Sequence, residues 1–489
     1  VVQVVINNKY LGHFVMVLYY VFSIFAGQLG LEHNLLLYGS DSGISYSDMN
    51  GFGHFVGPFL WFKLYWALLA VALAVGANLL WVRGTETDWR TRQALAGRRF
   101  SAPARAALAV ALLGFVAVGG WIFYNTNVLN TFRGSKARQQ LTVDYEKNYG
   151  RFRRTPQPRI VAVDVNVDLF PAQQEARVRG QYWLRNKTGQ PLDTVVLSLP
   201  STEDVRVRQM QLGAGTTTVL ADSALGFYVQ RLPRPLAPGD SLPLNFDLYY
   251  DAPGFEQRTG RTGIVANGTF INNGNLPHIG YSENAELSEA SARKKFGLKP
   301  KPRVARLGDT AARANTYIAA DADWVRFAAT VSTAPDQIAL SPGYLQKEWT
   351  ENGRRYFRYA MDAPILNFYS FQSARYAERK AKWQNVDITI YYQPGHEYNL
   401  DRMVRGVQDG LAYYSKNFGP YQHRQLRIVE FPGYSAFAQA FPNTVPFSES
   451  IGFVAKVDTT DPKDVDYPYY VTAHEVAPPW WAHQVSGAA

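Results

Sequence analysis

His474 and Glu475 are the residues whose types and spacing bear most directly on chemistry. Positions i and i+4 of a helix share a face, so two imidazoles there can hold one Zn²⁺ while a glutamate beside the first activates a water. His474 and Glu475 supply the first half of such an H-E-x-x-H pattern. Where the second imidazole belongs, the chain has Pro478, followed by Pro479. A proline inside a helix removes a backbone hydrogen bond and collides one turn back, at a cost of about 3 kcal/mol. A kink is expected here, or a helix that restarts at Pro478, where proline is tolerated as a first residue. His483 falls on the opposite helix face from His474, at about 100° per residue, and is not expected to be a ligand. His278, His396 and His423 have no metal-ligand spacing and read as solvated or hydrogen-bonded residues. One neutral imidazole does not hold Zn²⁺ against water, so the chain as written is expected to bind no catalytic zinc.

With Trp480 and Trp481 in the aromatic positions after the motif, the segment 471–484 resembles the membrane alanyl aminopeptidase family of zinc metallopeptidases, which are gluzincins. The form it resembles is bacterial, a peptidase fused to an ABC-transporter-permease-like membrane region, and the resemblance covers nearly the whole chain. It implies Glu475 as general base, His474 as a zinc ligand, and a third ligand and a transition-state tyrosine beyond residue 489. Residues 437–443 fall where that family has a G-x-M-E-N motif, which makes Gln439, Ala440 and Asn443 the substrate-binding positions. Only the Asn is kept. The family's glutamate for the substrate amino group aligns with Pro442, which leaves exopeptidase and endopeptidase action both open. Gln439 or Glu449 are the candidates to replace it, though each reads first as a structural polar residue.

The elements that must position these residues begin near residue 376. A strand is expected over 386–392, a helix over 400–417 and a strand over 426–431, the alternation that opens a new domain. Asn399 is placed to cap the helix, Met403, Val404, Val407, Leu411 and Tyr414 form one face, and Gly419-Pro420 ends it. By the resemblance, 376–489 is the start of a thermolysin-like α/β catalytic domain. Before it, Val161, Val163, Val165, Val167 and Leu169 alternate with polar or small residues, the period of a half-buried strand. Similar segments recur at 178–184, 194–199, 242–250, 325–331 and 356–359, as an antiparallel β domain would show over 155–375. The resemblance makes this the family's saddle. A short helix is expected near 288–296.

The N-terminal region, 1–124, belongs to another solvent. Apolar stretches at 11–29, 59–82 and 106–124 approach the ~20 residues that span a bilayer as helix. Between the second and third lie Arg83, Arg90, Arg92, Arg98, Arg99 and Arg105 against Glu86 and Asp88, so that loop is expected in the cytoplasm. Everything after Tyr124 then faces the other side, through a polar, basic stalk at 125–154. The expected protein is multi-domain and multi-pass in the inner membrane, its peptidase-like part extracytoplasmic. The expected partners are a peptide and the membrane, with a separate ABC ATPase subunit possible, since the chain has no phosphate-binding loop.

The formal charge of +10 comes with no stripe of cations interleaved with stacking aromatics, so nucleic acid is not an expected partner. Zero cysteines exclude disulfides and thiolate metal sites. The sequence opens on Val1 inside an apolar stretch and closes without a helix-terminating signal, and both ends are expected to be truncations.

Overall fold

The computed structural model describes residues 1–84, 88–199, 205–258, 260–302, 306, 308–310 and 312–484. Glu86, counted above, and the positions after 484 lie outside the described residues. The chain divides into two compact units. One comprises Val1–Ser45, Phe52–Gln140 and Pro253–Gly260, and the other Tyr46–Gly51, Leu141–Ala252 and Arg261–Ala489.

In the first unit two helical stretches, Gly53–Leu80 and Ala102–Leu129, are long and apolar enough to cross a membrane. Their contact uses small residues. A Cβ on Gly119 would stand 2.9 Å from the Tyr65 ring, and one on Gly114 would stand 3.2 Å from Leu68. The missing side chains let Tyr65 stack on Phe115 with centroids 4.2 Å apart. Val110, Leu113 and Val116 point outward, each about 70 % exposed, where a soluble helix would carry polar residues. The expected first span forms the helix Lys9–Phe25, whose 17 residues fall short of a bilayer's thickness.

Two of the loop arginines have a structural task. Arg92 and Arg99, on the helix Trp89–Arg99, donate to the carbonyls of Leu80 (2.7 Å) and Trp81 (2.7 Å). These are orphan acceptors at the end of the preceding helix, where positive charge is favoured. Lys63 pairs with Asp41 at 2.5 Å. The stalk departs from expectation, because Ser135–Tyr149 is a helix. Tyr145 and Tyr149, one turn apart on it, are buried, and Tyr149 stacks on Phe227 at 4.1 Å. Aromatic packing overrides the weak polar pattern of this stretch.

The second unit is built on a large sheet. Its strands run in the order Tyr344–Glu351, Arg354–Ala360, Ala322–Thr333, Arg159–Phe170, Glu175–Arg185, Ser241–Tyr250 and Val205–Leu212. The sheet is not purely antiparallel as expected: Arg159–Phe170 and Ala322–Thr333 pair in parallel, Val163 opposite Phe327 and Val167 opposite Val331. The alternation places Val163, Val165, Val167 and Leu169 inside. Val161 does not follow, because a bulge between Ile160 and Ala162 turns Ile160 inward instead. Outward positions carry cross-strand ion pairs such as Arg177 with Asp247 at 2.6 Å and Arg358 with Asp164 at 2.8 Å.

In the same unit a four-stranded sheet runs Ala377–Trp383, Val386–Tyr392, Gln425–Phe431 and Thr444–Ser448, with the last three parallel. The helix Leu400–Phe418 connects the second strand to the third, as a parallel crossover requires. It buries Leu400, Met403, Val407 and Leu411. Asn399 stands at its start without capping it. Its amide donates instead to the carbonyls of Gly452 (2.7 Å) and Ala455 (2.8 Å), holding the chain that leads to the His474 helix.

Candidate functional site

The helix that bears His474 and Glu475 spans Tyr467–Glu475. Asp466 caps it by accepting from the Tyr469 amide at 3.1 Å and is itself held by Arg402 at 2.5 Å. The helix lies across glycines of Leu400–Phe418. A Cβ on Gly406 would meet the Tyr469 carbonyl at 2.9 Å, and one on Gly410 would meet Val476 at 3.2 Å.

The helix ends at the glutamate itself, and a separate turn, Pro478–Trp481, begins at the proline. In an unbroken helix the amide of residue 478 would bond to the His474 carbonyl. Pro478 has no amide hydrogen, and that carbonyl accepts from Ala477 at 2.9 Å, which tightens the last turn. Proline at the head of the new turn loses nothing, since that amide is unpaired in any helix.

Glu475 is buried, and burial pushes its carboxyl above the usual range, offset in part by His474 and by the Ala440 backbone. Ala440 also accepts through its carbonyl from Nε2 of His483 at 3.0 Å. The helix and the segment 437–443, singled out separately in the sequence, therefore meet at Ala440. Gln439 runs extended beside Pro446, its amide donating to that carbonyl at 3.1 Å.

Pro442 and Asn443 form a tight turn, with Phe441 and Thr444 exchanging backbone bonds of 2.9 and 3.1 Å. Asn443 takes the left-handed conformation (φ 51°) that such a turn needs at its third position. Its carboxamide is buried, accepting from the Gly343 amide and from Arg427, both at 3.2 Å. This accounts for Asn443 by turn geometry.

His423 and His483 are buried neighbours. Nε2 of His423 and Nδ1 of His483 have no hydrogen-bond partner among the described residues. Burial pulls both rings down to about 4, and the charge of His483 adds to the effect on His423.

A proline stands at the second ligand position, and among the described residues no group of three close imidazole and carboxylate donors includes His474. The group of that kind is elsewhere, at His396, Glu430 and Glu449. Sequence spacing gives no sign of it, because Glu430 lies in one strand while His396 and Glu449 follow two others.

No protein-family model and no curated protein matches this chain. Among solved structures it is similar to an M1 zinc metallopeptidase from Deinococcus radiodurans, with 17 % identity and a TM-score of 0.44, over 67 % of this chain and 65 % of that one. A mutant of the same enzyme gives 16 % identity and a TM-score of 0.43, over 67 % and 66 %. The chain thus spans about 65 % of the length of the enzyme it resembles.

Proposed function

We propose that the chain belongs to a membrane-anchored protein of the zinc metallopeptidase type that acts on peptides outside the cytoplasm, and that with Pro478 in place its peptidase-like module binds peptides without hydrolysing them. The helix break at Pro478 carries this reading. Glu475 stays buried and oriented by Ala440, while Pro478 stands where the H-E-x-x-H pattern has its second imidazole. A zinc ion would supply Lewis-acid polarisation of a peptide carbonyl, but these residues do not hold one. The two apolar helices support the anchor, and the cations of the loop between them support a cytoplasmic loop and an outer peptidase-like module.

The experiment is to place Pro478→His and Pro479→Gln together in the full-length protein and to measure bound zinc and hydrolysis of a peptide panel. The parent protein is expected to bind peptides and to show no chelator-sensitive hydrolysis, and the double variant to gain both zinc and turnover. Chelator-sensitive cleavage by the parent overturns the reading. A double variant that neither cleaves nor binds any peptide removes the peptidase assignment itself.

A further inference from the structure

His396 has no partner at ligand spacing along the sequence. The fold supplies two. His396 sits in the turn after the strand Val386–Tyr392, Glu430 lies near the end of Gln425–Phe431, and Glu449 opens the wide helical turn after Thr444–Ser448. One donor atom of each lies within 4.8 Å of the other two, and all three residues are buried, Glu430 completely.

Charge is out of balance here. Among the described residues neither Glu430 nor Glu449 forms an ion pair with a lysine or arginine. His396 is the one cationic partner, its Nδ1 2.5 Å from Glu430. Two buried carboxylates face one imidazole, and when both are ionised the cluster carries a net negative charge that a cation would compensate.

The surroundings orient the donors as outer-shell groups orient metal ligands. The Gln393 amide donates to Glu430 at 2.5 Å, and the Gly433 and Met49 amides donate to the two oxygens of Glu449 at 2.8 and 3.3 Å. Asp48 stands 3.6 Å from Nε2 of His396, the ring nitrogen turned away from Glu430. A carboxylate behind a histidine whose other nitrogen faces the ligand group is the arrangement that fixes a metal-binding tautomer. Asp48 is also 42 % exposed, so the ring is reached from solvent past it.

We propose that His396, Glu430 and Glu449 form a structural site for one divalent transition cation, Zn²⁺ or Mn²⁺, separate from His474 and Glu475. One imidazole nitrogen with carboxylate oxygens suits these ions, whereas Ca²⁺ takes six to eight oxygens. Ligands on one tetrahedral ion lie about 3.4 Å apart, given metal–ligand distances of about 2.1 Å. Donors that lie within 4.8 Å of one another reach this spacing by small side-chain shifts, with Nδ1 and Glu430, now 2.5 Å apart, moving away from each other. The ion replaces the proton between Nδ1 and Glu430, and that proton leaves to solvent.

The test uses the full chain purified in detergent, stripped with chelator and dialysed against Zn²⁺ or Mn²⁺, with bound metal counted by mass spectrometry. One equivalent is expected in the parent and in His474→Ala, with affinity lowered at least tenfold in Glu449→Gln and His396→Gln. Asp48→Asn, a substitution at a partly exposed position, keeps the protein folded if the core variants do not and is expected to weaken binding several-fold. X-ray absorption on the loaded parent is expected to show nitrogen and oxygen ligands with an imidazole signature. No stoichiometric metal in the parent overturns the proposal. So does metal lost with His474→Ala and retained in Glu449→Gln, or an absorption spectrum of a fully hydrated ion.

Discussion

The imidazole of His483 donates through Nε2 to the carbonyl of Ala440 at 3.0 Å, tying the turn after the Glu475 helix to the segment 437–443. The bond is made by a ring held neutral in the interior, beside a second such ring, His423.

Acid is therefore expected to loosen this region before carboxylates titrate. Both rings fall from 6.5 to about 4 on folding, so the unfolded chain binds more protons between those values. Their contribution is complete above 6.5 and is lost as pH falls toward 4. Urea midpoints measured from pH 7 to pH 4.5 should decline, and less steeply in the pair His423→Gln and His483→Gln. An unchanged slope in that double variant excludes this cause.

Gly406→Ala is expected to destabilise the second unit by about 1–3 kcal/mol, because the added carbon meets a backbone carbonyl that cannot step aside. Helix propensity alone predicts the opposite, a gain of about 1 kcal/mol. Gly97 serves as the control, since a Cβ there meets nothing within 4 Å and the same change should be neutral or stabilising. Equal denaturation midpoints for Gly406→Ala and the parent would show that the two helices do not lie this close.

His278 and Asp321 set a limit on the alkaline side. Burial lowers the His278 ring, but the 3.2 Å bond and the charge of Asp321 outweigh it and leave the ring above 6.5. Burial raises Asp321, and His278 with the Ile279 amide outweighs that, leaving it below 3.8. The histidine term is complete below 6.5 and is lost as pH rises through the folded value. The aspartate term is complete above 3.8 and is lost as pH falls through its own. Stability measured from pH 6 to pH 8.5 should fall in the parent, and Asp321→Asn should flatten that limb. A parent curve flat over this range contradicts the pairing.

Local patterns in the sequence carried through where packing obeyed them. The strand Val386–Tyr392 and the helix Leu400–Phe418 stand within a residue of expectation, since apolar spacing and Gly419 act locally. The restart at Pro478 follows from one missing amide hydrogen. What escaped was long-range: the parallel partner of Arg159–Phe170, the aromatic contacts that fold Ser135–Tyr149, and the meeting of His396 with Glu430 and Glu449. Asn399 shows the same limit within one turn, because its amide finds tertiary acceptors in place of its own helix.

The parallel pairing of Arg159–Phe170 with Ala322–Thr333 also dictates an order of events during synthesis. Residues 171–321 must leave the ribosome before the partner strand exists. Until then one edge of the first strand is open, an apolar ribbon with unpaired amides that a second nascent chain can occupy. Slow closure of so distant a contact makes this the step at which a chaperone would matter most.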